Sequence, residues 1–188
     1  MSRPFATIDT SVLVSLQCAE LLGVVTALFD RLLVPAAVRG ELEAGGESNR
    51  AALMAIDEFA VFERCDDYDP ASVKMLLDTR KHLAHGKDAG EAEAVIQASQ
   101  RSASMVLVDD PLGRDWAQRH TLECHGTIWL CRELRRRGFL RKLQPAYVQM
   151  LRRGRRQPLN EMNRYLQEFD EPLITDQEYR EHTTPWKP

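Results

Sequence analysis

The 188-residue sequence contains no apolar run long enough to cross a bilayer. Its first residues lead straight into a strand-like segment, without the apolar core of a signal peptide. Internal repeats and low-complexity tracts are missing as well. These absences favour a cytoplasmic globular protein without a membrane partner. The composition agrees, because 44% hydrophobic and 28% charged residues are the usual balance of a compact soluble protein.

Cysteine is scarce, and its spacing argues against a disulfide scaffold. The four cysteines lie far apart, and no two of them form a Cys-x-x-Cys pair. We interpret them as reduced, partly buried thiols, as expected in the cytoplasm. A metal cluster is the alternative, although structural zinc sites usually draw on paired Cys or His ligands. Its ligands would be His120, Cys124, His125 and Cys131.

A general excess of positive charge is also missing, since the net charge is −3. The cations are nevertheless concentrated, because residues 132–156 contain ten Arg or Lys and one acid, a local charge of +9. This asymmetry predicts a patch for the phosphate backbone of RNA, a docking surface for an inhibitory partner, or a solvated face that pairs with acids of the C-terminal helices. The candidate RNA-binding residues are Arg135, Arg136, Arg137, Arg152 and Arg153.

Short apolar runs alternate with segments of helical periodicity up to residue 140. Strands are predicted at residues 5–8, 32–34, 61–62, 105–108 and 122–124. The first helical pattern, at residues 12–29, is predicted to divide near Gly23. Strands that alternate with helices are typical of an α/β fold with a mainly parallel central sheet. Only helical segments follow, so we expect a domain of residues 1–140 and a helical extension of residues 141–188, packed on that domain or on a partner.

Acidic residues stand at the boundaries of several predicted elements. Asp9 and the pair Asp109-Asp110 follow strands, and two more acids, Glu41 and Glu91, lie on helices. Sites in open parallel sheets form beyond the carboxyl ends of the strands, so we expect these carboxylates to converge. Such a cluster repels itself unless cations neutralise it, and Mg²⁺ or Mn²⁺ prefers oxygen ligands. The acids therefore predict metal-assisted hydrolysis of a phosphodiester.

The same acids also admit a purely structural interpretation. Asp9 and Asp110 each precede a helix and suit the N-cap position. Glu41 and Glu91 would then be ordinary solvated residues on helix surfaces. The residues alone leave both interpretations open.

Five segments resemble, in the same order, the motifs of the PIN-domain family. They are Ile8–Leu13, Val34–Leu42, Gly90–Ala94, Val106–Asp110 and Gly126–Thr127. The resemblance covers about residues 4–140. The Glu-Ala-Glu-Ala and Asp-Asp forms look most like an uncharacterised prokaryotic subgroup that is related to VapC-type toxins.

This resemblance implies a three-layer α/β/α fold of the PIN, or flavodoxin-like, type. It also implies an endoribonuclease of the toxin–antitoxin type that depends on Mg²⁺ or Mn²⁺. Water would attack the phosphodiester in line and leave a 5′-phosphate and a 3′-hydroxyl. The implied catalytic residues and metal ligands are Asp9, Glu41, Glu91 and either Asp109 or Asp110. Hydroxyls that would position a water or a phosphate are those of Thr10, Ser11 and Thr127.

The resemblance further implies partners other than the RNA substrate. In the toxin branch an antitoxin inserts a peptide, often basic, into the acidic cleft, and homodimers are common in the family. The alternative function is a non-catalytic PIN-fold module that binds RNA or protein through the basic segment.

Overall fold

The structure, a computed structural model, describes residues 3–79 and 88–183. Within these residues five strands form one sheet: β1 (Phe5–Ile8), β2 (Arg31–Pro35), β3 (Phe62–Cys65), β4 (Met105–Leu107) and β5 (Cys124–His125). Neighbouring strands run parallel, and their order across the sheet is β3-β2-β1-β4-β5. The predicted parallel sheet is therefore confirmed: β1 has the predicted ends, and the other four predicted strands are present with shifted ends.

Helices connect the strands and continue beyond the last one. The first group consists of α1 (Thr10–Cys18), α2 (Leu22–Val25), α3 (Ala36–Ala44), α4 (Glu47–Asp57), α5 (Pro70–Asp78), α6 (Ala89–Gln100), α7 (Pro111–Arg119) and α8 (Thr127–Arg136). The C-terminal group consists of α9 (Gln144–Arg152), α10 (Leu159–Glu168) and α11 (Asp176–Thr183). The predicted helix of residues 12–29 breaks earlier than Gly23, at residues 19–21, where Glu20 has a φ of 59°.

The sheet is buried on both faces, because successive side chains of a strand point in opposite directions. In β4, Met105 and Leu107 belong to the larger of two apolar clusters, whereas Val106 and the following Val108 belong to the smaller one. Helices α1, α4 and α8 contribute to the larger cluster, and α5, α6 and α7 contribute to the smaller one. The predicted three-layer α/β/α fold is therefore confirmed.

The C-terminal helices share the core of the sheet. Tyr147 and Met150 of α9, together with Leu166 of α10, are buried in the larger apolar cluster. The extension of residues 141–183 thus contributes directly to the core that also contains β1 and β2. The division of the chain at residue 140 stays a prediction.

In the described part of the chain, no single helix is both long and apolar enough to span a membrane. Among the helices that the structure describes, only α1 and the segment Leu22–Leu28, taken together, reach the required length and composition, and they are bent by 118°. Both of these segments contribute buried residues to the larger apolar cluster.

Candidate active site

The strand order reverses between β1 and β4. The chain leads from β1 to β2 on one side of the sheet and from β4 to β5 on the other, so the connections after these two strands diverge at their carboxyl ends. β1 pairs with β2 on one side and with β4 on the other, and Ile8 aligns with Leu107. The backbone N–H of Asp9 donates to the carbonyl of Leu107 at 3.0 Å, so the residues that follow the two strands are neighbours. Ligand sites of open parallel sheets form at such a switch point. The first of the predicted acids therefore lies where a site is expected.

Asp9 has one satisfied and one unsatisfied carboxylate oxygen. Its Oδ2 accepts from the backbone N–H of Ser11 at 3.0 Å and from the Ser11 hydroxyl at 2.5 Å, so Asp9 is the N-cap of α1. Its Oδ1 is buried and has no hydrogen-bond partner among the described residues. Burial is the main reason why the pKa of Asp9 rises from 3.8 to about 6, and the charge of Glu41 also raises it. A buried carboxylate with a free oxygen is unfavourable unless a positive group binds it.

Glu91 lies in the first turn of α6 and has the same kind of free oxygen. Its Oε2 is buried, and no residue in the ranges 3–79 and 88–183 donates to it. The pKa of Glu91 rises from 4.5 to about 8, mainly through burial and next through the charge of Asp9. The charges of Glu41 and Asp110 raise this pKa further. The two free oxygens therefore belong to carboxylates that repel each other.

Glu41 reaches the same acids from α3. The hydroxyl of Thr10 donates to its Oε2 at 2.5 Å, and the backbone N–H of Gly90 donates to its Oε1 at 3.1 Å. Burial is the main cause of a raised pKa for Glu41. A Cβ atom at residue 90 would lie 2.9 Å from Oε1 of Glu41, so a glycine permits this close approach. Glu41 thus ties α3 to the first residues of α1 and α6.

The two adjacent aspartates after β4 have different surroundings. Asp109 accepts from the backbone N–H of Thr127 at 2.7 Å, from the Thr127 hydroxyl at 2.6 Å and from the side-chain amide of Gln157 at 3.0 Å. These bonds tie the end of β4 to α8 and to the segment between α9 and α10. Asp110 is exposed and serves as the N-cap of α7. Of these two adjacent aspartates, Asp110 is the one whose charge adds to that of Asp9 in raising the pKa of Glu91.

Three hydroxyls that the resemblance assigns to a water or a phosphate orient acids in the structure. They are those of Thr10, Ser11 and Thr127, and each donates to a carboxylate of the site. These hydroxyls lie at the starts of α1 and α8, which the capping residues place beside the strand ends. Their contact with a water or a phosphate stays a prediction.

Two side chains that the sequence analysis did not identify support the site. Gln157 is buried and donates to Asp109, which precedes it by 48 residues. It lies in an arginine-rich segment without periodicity, so no local pattern indicated its role. Glu93 is buried as well, and accepts from the backbone N–H of Ala37 at 2.8 Å and from the hydroxyl of Tyr68 at 2.5 Å. It therefore anchors the start of α3, the helix that brings one acid to the site.

Five of the ten cations in residues 132–156 form ion pairs in the described part of the chain, and four of these five are candidate RNA-binding residues. The ion pairs of these four are Arg135–Glu171 (3.1 Å), Arg136–Glu133 (2.6 Å), Arg137–Glu133 (3.7 Å) and Arg153–Glu20 (2.9 Å). Two of the acids in these pairs, Glu133 and Glu171, are buried. The remaining candidate RNA-binding residue, Arg152, is exposed. The interpretation as a face that pairs with acids is therefore confirmed for Arg135, which binds an acid that follows α10, and for Arg132, which binds Glu168 of α10 at 2.7 Å. A contact of these arginines with RNA stays a prediction.

The arrangement of the side chains limits which of them can bind a metal ion. Within residues 3–79 and 88–183 no group of three or more His, Cys, Asp or Glu side chains is arranged to hold an ion. The alternative cluster of His120, Cys124, His125 and Cys131 is therefore wrong. The predicted acids do not form such a group either, but two of their oxygens, Oδ1 of Asp9 and Oε2 of Glu91, lack donors among the described residues. Mg²⁺ and Mn²⁺ take anionic oxygens of this kind, so these two acids fit such an ion.

Comparison with known proteins adds evidence on the family. A family model described as DUF3368, a PIN domain, matches residues 5–171. The matched region includes the five predicted acids and also Gln157. No curated protein and no solved structure matches the chain.

Proposed function

Because the chain belongs to the PIN-domain family, whose members are generally nucleases, we propose that it is a metal-dependent endoribonuclease of the toxin–antitoxin type. One observation carries this proposal. Two buried carboxylate oxygens, Oδ1 of Asp9 and Oε2 of Glu91, receive no hydrogen bond from any described residue. Both carboxylates stand beside the carboxyl edge of the sheet, where the acids of a PIN nuclease are expected.

The free oxygens explain why a cation is needed. Asp9 and Glu91 each have an oxygen that loses hydration without gaining a donor among the described residues, and ionisation of both groups would bring two like charges together. A divalent cation would relieve both effects, because it neutralises the charges and binds the free oxygens. PIN nucleases generally use divalent metals, and we propose Mg²⁺ or Mn²⁺ here. When bound, the ion would lower the pKa of a water and neutralise charge on the phosphodiester.

The surrounding donors would prepare the acids for this role. Ser11 holds one oxygen of Asp9 and leaves the other free, and Thr10 holds one oxygen of Glu41. Hydrogen bonds of this kind fix the carboxylates before the substrate arrives, which reduces the reorganisation that catalysis requires. Glu91, with a pKa of about 8, keeps its proton at neutral pH in the metal-free protein. Binding of an ion would displace that proton.

A cleavage assay with labelled single-stranded RNA tests the proposal. The protein should cut RNA in the presence of Mn²⁺ or Mg²⁺, and a chelator should stop the reaction. Asp9→Asn and Glu91→Gln should abolish cleavage, because each replaces an anionic ligand by a neutral amide. Asp57→Asn is the matched control, since Asp57 pairs with Arg39 on the surface and should leave the activity unchanged. Equal cleavage by Asp9→Asn, or full activity with chelator, would mean that a contaminant or another site cuts the RNA.

A non-catalytic PIN-fold module that binds RNA or protein is the second candidate function. It is favoured by the finding that the described side chains form no group of three or more metal-ligating residues. The same assay separates the two candidates, because a binding module would retain RNA without cutting it at any Mn²⁺ concentration.

The proposed toxin role leads to further proposals about the partners of the protein and its location in the cell. We propose a cytoplasmic protein that an antitoxin inhibits with a basic peptide, because the acids of the site attract positive charge. We also propose a homodimer. A purified complex with the antitoxin should lose RNA cleavage, and removal of the antitoxin should restore it. Light scattering of the free protein would report its oligomeric state.

A further inference from the structure

One half-buried guanidinium group contacts α1, the helix that Asp9 caps, and has no acidic partner in the described part of the chain. Arg155 lies between α9 and α10 and is half-buried. Its Nε donates to the hydroxyl of Ser15 at 3.1 Å, and its Nη2 donates to the backbone carbonyl of Ser11 at 3.2 Å. Both acceptors are neutral. Arg155 forms no ion pair with any residue in the described ranges, so its charge is not neutralised there.

The other arginines of the basic segment make the contrast clear. A carboxylate of the fold binds three of them and neutralises their charge, namely Arg135, Arg136 and Arg153. Arg152 and Arg156 lack ion pairs in the described part of the chain, but they are exposed and remain hydrated. Partial burial of a cation without a counter-charge is unfavourable. The two hydrogen bonds of Arg155 need only a neutral donor, so they do not explain why a charged residue stands there.

The position of Arg155 connects it to the site. Ser11 donates to Asp9 through its N–H and its hydroxyl, and its carbonyl accepts from Arg155. Two residues further along the chain, Gln157 donates to Asp109. The segment of residues 155–157 therefore contacts residues that hold both strand-end aspartates. The guanidinium of Arg155 contacts α1, the helix that Asp9 caps, and forms no ion pair with an acid among the described residues.

We propose that Arg155 binds a phosphate oxygen of the RNA strand, beside the phosphodiester that is cleaved. This inference rests on the proposed function. A polyanion is repelled by a cluster of carboxylates, so a nearby cation is needed to hold the strand against them. A guanidinium suits this task, because its fork of N–H donors matches two phosphate oxygens and it stays charged when partly desolvated.

RNA binding without cleavage tests the inference on the full chain. Fluorescence anisotropy with a labelled single-stranded RNA, in chelator and over a series of KCl concentrations, gives Kd and its salt dependence. Arg155→Ala should weaken binding by about tenfold or more, as expected for loss of a hydrogen bond to a charged group. It should also reduce the slope of log Kd against log salt by about 0.7, the value for one phosphate contact on a single strand.

Two further variants distinguish a phosphate contact from a structural role. Arg155→Lys retains the charge and should keep the wild-type salt slope. Arg31→Ala removes a cation from the amino end of β2, at the opposite edge of the sheet, and should change neither Kd nor slope. Thermal denaturation of each variant confirms that it is folded.

The outcomes separate this inference from the proposed function. Wild-type Kd and slope in Arg155→Ala would overturn the inference, and so would weaker binding with an unchanged slope. Wild-type protein that binds no RNA would overturn the inference together with the proposed substrate. Binding that depends on Arg155, in a protein that never cuts RNA with Mn²⁺, would support the inference and contradict the proposed catalysis.

Discussion

Replacement of Asp9 by asparagine should stabilise the metal-free protein at alkaline pH. In the unfolded chain this carboxyl ionises near its ordinary pKa of 3.8, whereas in the folded protein it keeps its proton up to about pH 6. The unfolded state therefore releases the proton first, and the free energy of unfolding falls as pH rises between these two values. Above the folded pKa the loss is complete. Asparagine has no charge to lose, so the variant does not show this decrease.

The size of the effect follows from the raised pKa. Each pKa unit corresponds to about 1.4 kcal/mol, so ionised Asp9 lowers the stability of the fold by about 3 kcal/mol. For a chain of this length about 1 kcal/mol changes Tm by about 2–4 °C. We therefore expect the variant to unfold about 6–12 °C above the wild type at about pH 8, and close to the wild type at about pH 4.

Circular dichroism melts in chelator, at both pH values, measure this difference. Asp57→Asn is again the control, because an exposed ion pair contributes only about 0–1 kcal/mol to stability. An Asp9→Asn variant that melts below the wild type at the higher pH would refute the reasoning. The ionised carboxylate would then stabilise the fold without a cation, and the argument for a metal at its free oxygen would fail.

Two other substitutions test the geometry around the site. A Cβ atom at residue 126 would lie 2.5 Å from Oδ1 of Asp109, so Gly126→Ala should abolish RNA cleavage and cost about 1–3 kcal/mol in urea denaturation. The matched change Gly40→Ala meets no atom within 4 Å and should leave cleavage intact, so equal activity of the two variants would contradict the account. Glu133→Gln should lower the free energy of unfolding by about 2 kcal/mol, because it weakens the buried acceptor of Arg136 and Arg137. Unchanged stability in urea would show that these ion pairs contribute nothing.

The sheet and the general position of the site could be predicted from local sequence. Each strand is a short apolar run, and the acids that follow Ile8 and Val108 must lie near one another because their strands are parallel neighbours. Glu41 and Glu91 are on helices, so their convergence with Asp9 depends on the packing of α3 and α6. The resemblance to a family indicated that packing, whereas composition did not.

The difference between the aspartates could not be predicted from local sequence. Asp9 and Asp109 both follow buried strands, yet only the first retains an oxygen without a donor among the described residues. Asp109 is satisfied by Thr127 and Gln157, which follow it by 18 and 48 residues. Contacts at such separations are set by tertiary packing. The same holds for Arg155, whose lack of an acidic partner within residues 3–79 and 88–183 is visible only once the fold has placed its neighbours.

Calorimetric titration with Mn²⁺ tests the central claim most directly. The wild-type protein should bind the ion with saturation and release protons near neutral pH, because Glu91 must lose its proton. Asp9→Asn and Glu91→Gln should lose this binding, while Asp57→Asn should bind as the wild type does. Equal Mn²⁺ affinity in all four proteins would contradict the account, since the two buried acids would then not be the ligands.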